Sequence, residues 1–197
     1  IDPDLLQGSR ANYLAAIDWA DGRAGGAFLD ISTGELWLRH WQSIEEVLDD
    51  QNDGDRRFLL DTCILGTLSG PSCDAVTGRT DSHSVLERFT RSGLFTTRLN
   101  TSAGDWYRYH DLLRSALATL LHRTTPDREQ HLHHRAAAWH HDAGDIISAI
   151  DHALAGNDPA LAAEWLIDAT GPMLMRGEAA TLCTLYRRVD AQLDEHD

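Results

Sequence analysis

Polar and apolar residues alternate in three different rhythms along the 197 residues. In the first, up to about residue 42, short apolar runs are separated by glycine turns. Ala11–Trp19 precedes Asp21-Gly22, Ala27–Ile31 precedes Ser32-Thr33-Gly34-Glu35, and Leu36–Trp41 alternates in and out. Runs of this length with period-2 alternation and tight turns predict a three-stranded antiparallel β-meander. Ser43 with Glu46 three positions on reads as a capping box opening a short helix.

The second rhythm, to about residue 125, has helical spacing interrupted once. Phe58, Leu59, Ile64 and Leu65 predict a helix ended by Gly66. Pro71–Val76 and Asp81–Phe89 predict two more. Leu94–Leu99 and Trp106–Tyr109 are β-branched and aromatic runs around a polar, glycine-containing loop, which is a hairpin pattern. Asp111–Leu121 then carries apolar residues at 112, 113, 116, 117, 120 and 121, one buried helical face. Helix, helix, helix, hairpin is the order of a winged helix.

The third rhythm is helical throughout. A helix from Pro126 with a Leu132, Ala136 and Trp139 stripe stops at Gly144. Helices over Ile146–Leu154, Pro159–Ile167 and Ala179–Val189 follow. Ala136-Ala137-Ala138-Trp139 and Ala162-Ala163-Glu164-Trp165 echo each other at a spacing of 26, the mark of stacked helical hairpins. The expected fold class is α+β and mainly α: an N-terminal β-meander with a short helix (1–50), a winged-helix domain (51–125) and a helical-repeat-like bundle that begins a TPR-like arm (126–197).

Composition narrows the function. The chain has 17 basic residues, all arginine, against 31 acidic ones, a formal net charge of -14. Such a field repels a phosphate backbone, so DNA binding by this chain alone is disfavoured. The absence of lysine removes P-loop phosphoryl transfer and Schiff-base chemistry. No GxSxG or HExxH motif occurs, and the expectation is a non-enzymatic chain. Three cysteines without CxxC spacing form neither a disulfide framework nor a zinc ribbon. Cys63 and Cys183 sit in apolar helical contexts and are expected to be buried. No apolar run approaches the ~20 residues that span a bilayer, so no membrane partner is expected. The start, Ile1-Asp2-Pro3-Asp4, has neither a basic leader nor Met and reads as a cut inside a longer chain, with a cytoplasmic location expected.

Three sets of residues invite chemistry. His131, His133, His134, His140 and His141 crowd one helix without a zinc motif, and are expected to form a solvated, titratable face. No metal site is expected. Asp18 and Asp30 sit at strand ends, where carboxylates serve as turn formers. The sharpest feature is Trp106-Tyr107-Arg108-Tyr109-His110-Asp111-Leu112-Leu113. It places His110 where a strand passes into a helix, with Asp111 at the helix start as a cap. The imidazole then either fills the corner or donates a hydrogen bond to an anion held by another domain.

From about Glu45 to Val189 the sequence resembles the MalT-like branch of the STAND signal-transduction ATPases, large LuxR-type transcriptional regulators. The resemblance rests on Arg57–Leu65, Leu68–Arg79, Gly93-Leu94-Phe95, Trp106–Leu113 and Leu132–Trp139. It implies a winged helix and proximal helical arm that follow a nucleotide-binding domain. Tyr109-His110-Asp111-Leu112 resembles the family's Met-His-Asp motif, with Tyr in place of Met. By that resemblance His110 would sense the β-phosphate of ADP. The cofactor, ADP or ATP, would belong to the parent protein and none to this chain. The partner would be that nucleotide-binding domain or another protein. The family's P-loop, Walker B strand and C-terminal helix-turn-helix have no counterpart in these residues.

Residues 1–42 look different. Asp2–Leu6, Asn12–Ile17, Gly22–Gly25 and Phe28–Leu36 resemble the entry to the connector domain of MutS mismatch-repair proteins. That resemblance implies either a DNA-repair-associated module or a recombined or engineered chimera joined near residues 43–55.

Overall fold

Local sequence chemistry sets the helix ends of the first domain. The computed structural model describes residues 51–92, 96–101 and 104–194. The chain divides into two compact units, Ile1–Arg56 and Arg57–Asp197. The β-meander, Asp18, Asp30 and the helix expected at Ser43 lie outside the described residues.

Helix α1 runs Asp53–Thr62, starting earlier and ending earlier than the apolar pattern suggested. Asn52 explains the start: its Oδ1 accepts from the Asp55 amide at 2.9 Å, an N-cap bond. Helix α2, Gly70–Thr77, opens on a reciprocal capping box. The Ser72 amide donates to Ser69 Oγ and the Ser69 amide to Ser72 Oγ, at 3.2 and 2.9 Å. It closes on Gly78, whose φ of 78° is left-handed and whose amide donates to the Asp74 carbonyl at 2.8 Å. Helix α3, Ser82–Arg91, borrows its cap: Asp74 Oδ1 accepts from the Ser82 amide at 3.1 Å, while Asp81 pairs with Arg79.

Strands β1, Thr96–Thr101, and β2, Gly104–Tyr109, pair antiparallel from Thr96↔Tyr109 to Thr101↔Gly104. On its other edge β2 takes Leu68, whose N–H and C=O exchange two 2.8 Å bonds with Tyr107. Helix α4, Asp111–Thr124, follows after one residue and buries Leu113, Leu117 and Leu121, spaced by four. Phe58, Phe89, Tyr107 and Tyr109 are all buried. Phe58 meets Phe89 edge-on at 5.8 Å. Three helices followed by a hairpin form the winged helix that the sequence order predicted.

Four further helices make the bundle: α5, Pro126–Asp142; α6, Ile146–Ala155; α7, Pro159–Met175; α8, Ala179–Asp194. Their turns repeat one device. Gly144, Asn157 and Gly177 have φ of 77°, 61° and 77°, and each is followed by an acidic residue. Asp145 and Asp158 then cap α6 and α7 by accepting from the Ser148 and Leu161 amides. A left-handed residue stops one helix and a carboxylate starts the next, so sequential helices lie antiparallel. Ala137, Ile150, Ala153, Ala162, Leu166, Met173, Leu182, Leu185 and Val189 belong to one buried cluster. This is the expected helical-repeat-like packing, with small alanines at the contacts.

Two expectations are corrected. Helix α7 does not stop near Ile167 but continues through Gly171-Pro172 to Met175. A proline inside a helix costs ~3 kcal/mol, while burying Met173 and Ala169 beyond the expected stop returns a comparable amount, ~1.5–3 kcal/mol for a methionine alone. Cys183 is exposed, whereas Cys63 and Cys73 are buried. The core face of α8 is Leu182, Leu185 and Val189, and position 183 lies one 100° step away from it.

Candidate functional site at the strand-to-helix junction

Strand alternation decides where His110 goes. Tyr107 and Tyr109 point into the winged-helix core, each about 1% exposed, so Arg108 lies on the outer face. The Tyr109 hydroxyl meets Thr62 Oγ1 at 2.8 Å, and Thr62 itself donates to the Phe58 carbonyl at 2.7 Å. A threonine has one O–H proton and Phe58 takes it, so Tyr109 is the donor to Thr62. Burial above all pushes the Tyr109 hydroxyl well above its ordinary range.

That anchor fixes the register of the next two residues. His110 lies exposed between β2 and α4. Its carbonyl accepts the first helical bond, from the Arg114 amide at 3.0 Å, so its backbone stands at the N-cap position. Asp111 is the first helical residue, and its carboxylate accepts from the Arg108 guanidinium at 2.8 Å. The junction therefore sets together an imidazole, a guanidinium, a carboxylate and the positive end of a 14-residue helix.

The arginines of α3 and of the hairpin have partners within the chain. On α3, Arg91 pairs with Glu87 at 2.9 Å and Arg88 covers the Phe89 ring. On the hairpin, Arg98 pairs with Asp105. Arg91 and Arg98 are thus paired with carboxylates within the chain.

The histidine-rich helix α5 is not a uniformly solvated face, which corrects the sequence expectation. His131, His134 and His141 are exposed. His133 and His140 are half-buried and turn towards His152 on α6, a residue that the sequence pattern did not single out. Nineteen residues separate His133 from His152, so no local spacing could have flagged the contact. A cavity of about 430 Å³ lies beside them, lined by Gly66, Thr67 and Trp106 on one side and Trp139, His140 and Asp145 on the other. Among the described residues, no three ligating side chains converge on a metal-sized site, and no helix is long and apolar enough to cross a membrane.

Comparison with known proteins agrees with this architecture. Residues 44–129 match the family model for the MalT winged helix domain. The serine/threonine-protein kinase PknK of Mycobacterium tuberculosis is 28% identical over 180 residues, covering 91% of this chain and 16% of PknK. The HTH-type transcriptional regulator MalT of Vibrio parahaemolyticus is 32% identical over 151 residues, 76% of this chain and 16% of that protein. MalT of Vibrio cholerae is 32% identical over 139 residues, 71% of this chain and 15% of that protein. The chain thus spans about one sixth of the length of these curated relatives. Residues 44–129 are a MalT-type winged-helix domain, homologous to that segment of the MalT regulators.

Proposed function

We propose that this chain is a non-catalytic regulatory segment of an ATP-dependent MalT-type transcriptional regulator, coupling nucleotide state to protein–protein contact. In this reading residues 51–125 are the winged-helix module, 126–197 the proximal arm, and 1–50 a separate N-terminal element. The bound ADP or ATP belongs to a nucleotide-binding domain of the longer protein, which is the partner, and the protein works in the cytoplasm. His110 reads the β-phosphate. Asp111, expected as the cap, stands at the first helical position instead, where its carboxylate favours the positive end of α4 and pairs with Arg108.

The observation that carries the reading is the exposed His110 at the start of α4, held by a buried Tyr109 on one side and by the helix on the other. An exposed imidazole at the start of a helix is placed to meet an anion rather than to fill a core. The ion pairs of Arg91 on α3 and Arg98 on the hairpin argue for protein contact over DNA reading. The match to PknK leaves fewer than twenty residues uncovered, so it runs through residues 43–55. That favours one continuous chain over a junction with a MutS-like module, and over a chimera.

Isothermal titration of the chain with ADP, ATP and duplex DNA tests this directly. ADP is expected to bind weakly to the chain, and His110→Ala to remove that binding. Equal ADP affinity in both proteins, or salt-sensitive DNA binding, would overturn the reading.

A further inference from the structure

The imidazoles between α5 and α6 are not used by the nucleotide-sensing reading. His133 Nδ1 and His152 Nδ1 lie 2.9 Å apart, hydrogen-bonding distance for an N–H···N contact. One ring must donate and the other accept, so a single proton sits between these two nitrogens. His140 stacks on His152, with centroids 5.2 Å apart and planes 20° from parallel. His140 Nδ1 in turn lies 3.0 Å from Asp145 Oδ2. The result is an unbroken series, His133, His152, His140 and Asp145, across the first turn-joined pair of arm helices.

The surrounding charges do little to welcome an extra proton. On α5, Glu129 favours a charged His133 and His134 opposes it. At the turn, Asp145 already accepts from the Ser148 amide as well as facing His140. The winged-helix wall of the cavity offers Gly66, Thr67 and Trp106, none of them charged. Burial, then the neighbouring His133 and His140, hold His152 down at about 3, and burial holds His133 below its ordinary value.

We propose that the His133–His152–His140 series is a proton-sensitive latch on the α5–α6 hairpin. With neutral rings the N–H···N bond closes the hairpin beside the Trp106–Trp139 cavity; protonation breaks the bond and opens the hairpin there. The proton balance is simple. Each neutral ring carries one N–H, and an added proton converts the accepting Nδ1 into a second N–H. Two donors then face each other at contact distance, and the rings must part.

The sign follows from linkage. A histidine depressed in the closed state regains its ordinary value near 6.5 when opened, so opening takes up protons. The closed state is fully favoured above about pH 6.5 and weakens as pH falls below it. For His152 alone, the opening equilibrium should rise about tenfold between pH 7.5 and 5.5.

Amide hydrogen exchange on the 197-residue chain, corrected for intrinsic pH dependence, reads this out. Amides of α6 are expected to exchange about tenfold faster at pH 5.5 than at 7.5, with α1–α4 unchanged. His152→Asn should flatten that dependence, and His131→Asn, on the exposed face, should preserve it. If His152→Asn fails to fold, the imidazole Cε1–H resonance of His152 in the native chain decides. Half-titration well below 6.5 supports the latch, and an ordinary midpoint with unbroken α6 protection overturns it. Exchange in α6 that is independent of pH, or equally pH-dependent in His152→Asn, also overturns it.

Discussion

The hydroxyl pair beneath the junction gives a test with a built-in direction. Tyr109 donates to Thr62, and Thr62 donates to the Phe58 carbonyl, all of it buried. Tyr109→Phe removes one bond but leaves Thr62 still donating, so it should cost about 1 kcal/mol. Thr62→Val conserves volume but strands the Tyr109 O–H without an acceptor in the core. The cost of an unmet buried donor is higher, about 2–3 kcal/mol. In the double variant no polar group is stranded, and the total should fall back to about 1 kcal/mol. The coupling between the two sites is then of the order of 2 kcal/mol, well beyond the few tenths of a kcal/mol expected for independent sites. Urea unfolding of the four proteins at pH 7, with a common m-value, measures it. Additive costs would refute the pairing. A larger cost for Tyr109→Phe than for Thr62→Val would refute the assignment of the donor, and with it the anchor that sets His110.

Three further outcomes follow from other contacts. Arg128 grips Asp61 through two bonds of 2.6 and 2.5 Å, and the Asp61 side chain is only 4% exposed. Arg128→Ala should therefore destabilise by about 3 kcal/mol in thermal or urea unfolding, with Arg128→Lys recovering only part because it lacks the planar fork. Gly78→Ala should cost about 1 kcal/mol, since φ is 78° and the new Cβ would stand 3.2 Å from the Arg135 guanidinium. Burial raises Cys63 and Cys73 to about 12 from 9.0, so their stabilising contribution is complete below pH 9 and is lost as pH rises towards 12. The urea midpoint should fall steadily above pH 9. A thiol reagent at pH 8 should modify Cys183 rapidly, and Cys63 and Cys73 only at the rate of unfolding.

Most of the helical architecture is legible in the one-dimensional pattern because its causes are local. Ser69 and Ser72 cap each other three residues apart, the glycines at 78, 144 and 177 occupy left-handed turns, and Leu113, Leu117 and Leu121 share a helix face by spacing alone. The sequence left His110 between filling the corner and facing outward, and burial of Tyr109 in the core is what turns it outward. The pattern misleads where a local rule meets a distant contact. The apolar pattern ends the helix near Ile167, but burial of Met173 in the cluster that includes α8 carries α7 onward through Gly171-Pro172. Cys183 reads as core because its neighbours are apolar, although the helix turns it outward.

The sequence by itself determined the class of the fold, the strand-to-helix corner at His110, and a charge balance hostile to nucleic acid. Each depends on residue type and on spacing within about one turn or one hairpin. Only the tertiary structure decided which hydroxyl supports that corner and which histidines act together. Thr62 lies 47 residues from Tyr109, and His152 lies 19 from His133. Contacts at such separations are made by the packing of whole helices, and the order of residues along the chain carries no period that would announce them.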